Sequence, residues 1–334
     1  MRMSILIAVV FICLSALAGD SATSPSSTAI DVRSENLLLQ PPAANWISYN
    51  GDYSGRRFSG LAEINPGNLA GLHAEWVFHA RNTSRLEVTP VVVNGIMFIT
   101  AANDASALDA RTGRVVWHHS WPVSEGLIDD ASGHINRGIG LWHDRVYMET
   151  DNAHLLCLDV RSGNLIWDVA YADWNKNYGA TSAPLVVKDK VLVGTSGGDD
   201  GVRGFVSAYD AMTGKLAWRF WTIPGPGEFG SESWPGKLYL HGGGTTWMPG
   251  TYDPQLNLIY WHQQSRAGLR RWRAFRRRSL HRLRVGSRPR YWKTEMVFSI
   301  HAARSVRLRR GGDPDSDRCE VSGVGEKAAG AGKP

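Results

Sequence analysis

Cysteine is scarce, with 3 in 334 residues. That count excludes a disulfide framework. Cys157, inside "HLLCLDV", reads as a buried strand residue, and no Cys-x-x-Cys-His for a covalently held haem occurs anywhere. Long apolar runs are missing too. The longest, Ile5 to Leu17, falls short of the ~20 residues that a membrane-spanning helix needs. Arg2 precedes that run and Ala16-Leu17-Ala18 closes it, the pattern of a cleavable secretory signal over residues 1–18. This predicts export to the periplasm without stable membrane insertion. A lipid anchor at Cys13 does not fit, because the bulky Phe11 and Ile12 precede it.

Acidic residues are few in one part only. Residues 263–334 hold 19 Lys+Arg against 6 Asp+Glu, which leaves 18 against 25 for the rest of the chain. The whole-chain pI of about 9.3 therefore averages two unlike segments and implies no basic binding face on the first.

From Trp46 onward the chain is dense in short β-type runs, among them "TPVVVNGIMFITA", "DRVYMETDN" and "PLVVKDKVLVGTSG", with Asn-Gly, His-Asp and Lys-Asp at the turns. One element recurs: "ALDARTGRVVW", "CLDVRSGNLIW" and "AYDAMTGKLAW". Its aspartates, Asp109, Asp159 and Asp210, lie 50 and 51 residues apart. Each copy reads as strand, tight turn and strand. The aspartate caps turn amides, Gly113, Gly163 and Gly214 supply a positive φ, and Trp117, Trp167 and Trp218 return into the layer between units. A period near 50 with about four strands per unit predicts an all-β chain built as a β-propeller.

With these repeats in place, residues 45–261 resemble the pyrroloquinoline quinone (PQQ)-dependent alcohol dehydrogenases. The likeness rests on "NWISYNGDYSGRRFSGLAEINPGNLAGLHAEWVF", "HINRGIGLW", "GATSAPLVVKDKVLVGTSGGDDGVRG" and "GGGTTWMPGTYDPQLNLIY". The resemblance implies a periplasmic eight-bladed propeller that holds PQQ and Ca²⁺ near its axis. Such an enzyme oxidises a small alcohol and passes electrons to a cytochrome or a quinone. This chain would form three to four of the blades, and its open blade edge is expected to self-associate.

The resemblance also assigns roles. Glu87 matches a glutamate that contacts the quinone, and Arg137 an arginine that pairs with a cofactor oxygen. Thr181, Ser196, Gly197 and Gly198 match donors around the quinone carboxylates, and Trp247 the floor on which the flat ring stacks. Asp199 stands where the family has a glutamate ligand to Ca²⁺, one methylene longer. Ala131-Ser132 replaces the adjacent cysteines that many members carry, so the cover above the quinone must be built differently here. The family's asparagine ligand to Ca²⁺ and its aspartate base would follow Trp261 and have no counterpart. No catalytic residue is therefore assigned, and the chain is expected to be inactive alone. Non-enzymatic propellers that serve as envelope-assembly scaffolds share the blade signature. They need no Arg137, Asp199 and Trp247 constellation and usually carry a lipid-anchoring cysteine, so the dehydrogenase reading is favoured.

Residues 263–334 show neither strand alternation nor the repeat. Arginines beside Trp272 and Phe275 would suit phosphate contacts and base stacking, yet an exported propeller meets no nucleic acid. As a membrane-surface helix the apolar stripe is ragged. Reading the codons displaced by one base forces Trp292 to Gly and Met296 to Trp, at the spacing of Gly113 and Trp117. The tail is accordingly expected to be an out-of-frame, disordered extension. The resulting organisation is a signal peptide over 1–18, a flexible linker over 19–44, a partial propeller over 45–262 and the tail over 263–334.

Overall fold

Asn94, His143 and Lys188 each adopt a left-handed backbone, with φ of 49°, 51° and 55°. All three open two-residue turns between antiparallel strands, where such a φ matches the twist of the hairpin. They join β1 (Val91–Val93) to β2 (Ile96–Ala101), β5 (Gly140–Trp142) to β6 (Arg145–Glu149), and β9 (Leu185–Val187) to β10 (Lys190–Val193). The computed structural model describes residues 29–39, 41–81, 85–127, 129–228, 231–263, 294–299 and 307–310.

Each hairpin extends into a four-stranded antiparallel sheet in simple sequential order. The first sheet is completed by β3 (Asp104–Asp109) and β4 (Val115–Ser120). The second takes β7 (His154–Asp159) and β8 (Leu165–Ala170), and the third β11 (Phe205–Asp210) and β12 (Leu216–Trp221). The ladder shifts at Ala107/Leu108, Cys157/Leu158 and Ala208/Tyr209, one bulge at the same place in every unit. The predicted repeat is thus a repeat in space. Within each sheet the third strand is the buried one: Leu155, Leu156, Cys157 and Leu158 are wholly enclosed. Burying each such leucine contributes roughly 1.5–3 kcal/mol. The outer strands are half exposed.

The conserved turn works as the spacing implies. Asp109 Oδ1 accepts from the amides of Arg111 and Thr112, Asp159 Oδ1 from those of Arg161 and Ser162, and Asp210 Oδ1 from that of Thr213. Gly113, Gly163 and Gly214 have φ near 70°. The tryptophan of one unit then seats on the glycine turn of the next. Trp117 donates its indole N–H to Val160 O at 2.9 Å, and Trp167 donates to Met212 O at 3.1 Å.

Two boundaries differ from expectation. The supposed linker is packed from residue 29 onward: Ile30, Val32 and Leu37 are buried, and Val32 pairs with His143. Its Ser- and Asn-bearing composition masked three well-spaced apolar residues. The second difference concerns the arginine-rich tail, of which two short segments are strands. A fourth sheet begins with β13 (Thr251–Asp253) and β14 (Leu258–Gln263) and continues with β15 (Thr294–Ser299) and β16 (Arg307–Arg310). Trp261 lies opposite Met296. An unpaired β14 edge would leave a row of backbone donors and acceptors open, and a Thr-, Val- and Phe-bearing segment can satisfy them. Residues 264–293, 300–306 and 311–334 lie outside the described residues, as do the signal segment, Cys13 and Cys319.

Candidate cofactor-binding site

The loops that lead into the short inner strands β1, β5, β9 and β13 bring the assigned residues together. Arg137, three residues before β5, is the hub. Its Nη2 donates to Glu87 Oε2 at 2.5 Å, its Nη1 donates to Thr181 O at 2.9 Å, and its guanidinium carbon lies 4.7 Å from the centre of the Trp247 ring. Thr181 Oγ1 donates to Trp247 O at 3.4 Å. Four of the assigned residues, drawn from four loops, therefore make one contact set. Burial pulls the Arg137 guanidinium below its ordinary pKa, and the Glu87 carboxylate opposes that shift.

The backbone around Arg137 is fixed from both sides. Thr89 N donates to Arg137 O at 3.1 Å, and the buried Asn136 side chain accepts from Thr100 Oγ1 and Gly138 N while donating to Glu149 O. Sequence reasoning missed Asn136, although its place beside Arg137 was a clue. It also missed Arg57, whose Nη2 donates to Thr89 Oγ1 and whose Nη1 donates to Tyr49 O. Nothing in "SGRRFSG" separates that arginine from its neighbour.

Ser196, Gly197 and Gly198 form the adjoining wall. Ser196 N donates to Gly179 O at 2.9 Å, and Ser196 Oγ donates to Ala131 O. Gly197 has φ of 89°, and a Cβ there would stand 2.0 Å from Asn177 O, so only glycine fits. Ala131 belongs to α1 (Asp129–Ser132), which packs against the Gly198–Asp200 turn. Asp151 holds the loop before α1, accepting from Ser124 N at 3.1 Å and from Asn103 Nδ2 at 2.9 Å. Hydrogen bonds thus tether the segment where adjacent cysteines were looked for.

Behind this wall lies a buried acid. Tyr171 Oη donates to Glu149 Oε2 at 2.8 Å, while Oε1 of the same carboxyl has no partner among the described residues. Burial pushes Glu149 up to about 8. It holds its proton at neutral pH.

The Arg137 wall fits a planar acidic quinone: one guanidinium, one hydroxyl and one indole face converge within hydrogen-bond or stacking range. A metal fits less well. Asp199 is exposed on its turn, and among the described residues no group of three His, Cys, Asp or Glu side chains could hold an ion.

Residues 46–268 match the PQQ family described as glucose/ethanol/alcohol dehydrogenase, beta-propeller domain. The chain belongs to this family. Quinohemoprotein alcohol dehydrogenase ADH IIB of Pseudomonas putida is 40% identical over 228 residues, 64% of this chain and 33% of the relative. The dehydrogenase subunit of the quinone alcohol dehydrogenase of Gluconobacter oxydans is 35% identical over 65% of this chain and 32% of its own length. Among solved structures, the Comamonas testosteroni quinohemoprotein alcohol dehydrogenase superposes with a TM-score of 0.65 at 29% identity, over 80% of this chain and 41% of that one. A europium-containing methanol dehydrogenase superposes with a TM-score of 0.67 at 30% identity, covering 79% and 48%. As a family member the chain thus spans about a third of the curated relatives it matches.

Proposed function

We propose that this chain is the leading part of an exported PQQ-dependent alcohol dehydrogenase and supplies one wall of its quinone site. The observation that carries the reading is the contact of Arg137 with Glu87, Thr181 and Trp247 in a chain whose family binds this quinone. When bound, PQQ would accept a hydride from the carbinol carbon of a primary alcohol. The chain's own residues hold and orient. Arg137 presents a cation to an acidic oxygen, Thr181 offers a hydroxyl, Trp247 offers an aromatic face, and the α1 segment excludes water from above.

No residue here is positioned to take the alcohol's proton, and Asp199 alone does not make a calcium site. The chain by itself therefore binds quinone weakly and turns over no alcohol. The displaced reading frame of residues 263–334 belongs to the same proposal: the genomic sequence would show the missing asparagine and aspartate restored after Trp261.

Titrating PQQ into the purified chain while following indole fluorescence tests the binding claim. Saturable quenching that Arg137→Ala weakens at least tenfold is expected. Quenching that is unsaturable, or equal in the variant, would reject it. Turnover of ethanol with an artificial acceptor would reject the claim of inactivity.

A further inference from the structure

Residues 74–80, "AEWVFHA", have the burial pattern of an outer blade strand without a sheet. Trp76, Phe78 and Ala80 are half-buried and Glu75, Val77 and His79 exposed, a strict alternation of two. The outer strands β4 and β8 carry the same pattern, with a tryptophan at the start of the covered set. Trp76 also sits as those tryptophans do. Its Nε1 donates to Ala110 O at 3.2 Å, and a Cβ added to Gly113 would lie 2.6 Å from its ring. The corresponding pairs are Trp117 with Val160 O and Gly163, and Trp167 with Met212 O and Gly214.

The likeness stops at the backbone. β4, β8 and β12 each hydrogen-bond to the buried third strand of their own sheet. Between Ala74 and Ala80 no main-chain group bonds to any described residue. The flank beside it is apolar and open: Phe58, Leu61, Ile64, Leu69, Leu72 and Val77 are all more than half exposed. A row of bare backbone donors and acceptors next to such a flank is a template for strand addition.

We propose that residues 74–80 are the outer strand of a further blade, and that its other three strands come from the polypeptide that carries the blades present in the longer relatives. Three features select this occupant. The strand is already docked on the first sheet through Trp76, so it needs partners on its edge rather than on its covered face. The vacant positions are those that β1, β2 and β3 fill beside β4. The chain also covers only 41% of the solved Comamonas testosteroni enzyme, whose remainder is of the right kind to supply them.

Amide hydrogen exchange on the full chain, alone and co-expressed with the portion of that enzyme beyond the matched stretch, tests the proposal. Alone, amides 75–80 should exchange within seconds while those of β7 stay protected. In the complex, the protection of 75–80 should rise at least a hundredfold. Val77→Pro, which cannot sit within a paired strand, should weaken the complex more than tenfold and leave the melting temperature of the lone chain unchanged. Protection of 75–80 in the lone chain would overturn the proposal in favour of the chain's own tail or a second copy. A complex in which these amides still exchange fast, an unaffected Val77→Pro variant, or no complex at tens of micromolar would each overturn it as well.

Discussion

Trp117 lies flat on the turn at Gly163: a Cβ added to that glycine would stand 2.6 Å from the indole. The contact joins the first sheet to the second, because Trp117 ends one unit and Gly163 turns the next. Gly163→Ala therefore meets two costs, a left-handed backbone at φ 70° and a collision with a large buried ring. Together they amount to roughly 2–4 kcal/mol. Gly95→Ala provides the control, since its φ is 78° but nothing lies within 4 Å of the added carbon. Its loss should be about 1–2 kcal/mol. Urea midpoints of the two variants should separate accordingly, and equal midpoints would show that the indole does not press on the turn.

The three aspartates that cap these turns predict an acid limit. Thr112 holds the Asp109 carboxyl below its ordinary range. Burial raises the Asp159 and Asp210 carboxyls, but the bonds from Ser162 and Thr213 outweigh it and leave both lowered. A carboxyl depressed by folding contributes stability above its unfolded pKa and loses it as pH falls through the folded one. Stability should fall below about pH 4, and the triple Asp→Asn variant should lose less of it over that range. Thermal melts between pH 2 and 6 measure the difference.

The blade repeat was legible because its residues act locally. An aspartate, a glycine and a tryptophan at fixed spacing specify a cap, a turn and a seat regardless of what lies elsewhere. Hairpin turns at Asn94-Gly95, His143-Asp144 and Lys188-Asp189 could be read for the same reason. The packing of Ile30, Val32 and Leu37, and the pairing of Thr294–Ser299 with β14, depend on free edges and grooves that a single segment does not reveal.

Glu149 predicts the opposite pH trend. Its carboxyl is raised from the ordinary 4.5 to about 8, chiefly by burial, with the bond from Tyr171 opposing. A group raised by folding binds its proton more tightly in the native state, so its contribution is complete below the unfolded pKa and is lost as pH rises through the folded one. Between about pH 4.5 and 8 the protein should become progressively less stable. Glu149→Gln keeps a hydrogen-bond acceptor for Tyr171 and removes the titration. The variant should match the parent near pH 5 and exceed it at pH 9. Parallel pH profiles for the two proteins would mean that the carboxyl does not stay protonated in the fold.

The site was legible only through the resemblance. Glu87, Arg137, Thr181 and Trp247 are separated by 50, 44 and 66 residues, and no local pattern ties them together. Only the inner-strand loops of successive blades do so. Glu149 was invisible for a related reason: "YMETDN" alternates like any strand, and its burial comes from the neighbouring sheet.

The geometry also assigns Glu87 a part that differs from direct contact with a cofactor. Its Oε2 accepts from Arg137 Nη2 at 2.5 Å and so occupies a donor that an acidic quinone would want. If Glu87 is the counter-ion of Arg137, removing its charge frees the guanidinium for an incoming carboxylate. Glu87→Gln should then bind PQQ about 2–5 fold more tightly, the scale of a partly exposed ion pair of up to about 1 kcal/mol. If the carboxylate instead holds the quinone itself, the same substitution should weaken binding. Fluorescence titrations of parent, Glu87→Gln and Arg137→Ala decide between the two. The counter-ion role requires opposite signs for the two variants, because one removes the competitor and the other removes the prize. It also requires the gain in Glu87→Gln to shrink at high salt, where screening weakens the charge that Glu87 no longer opposes.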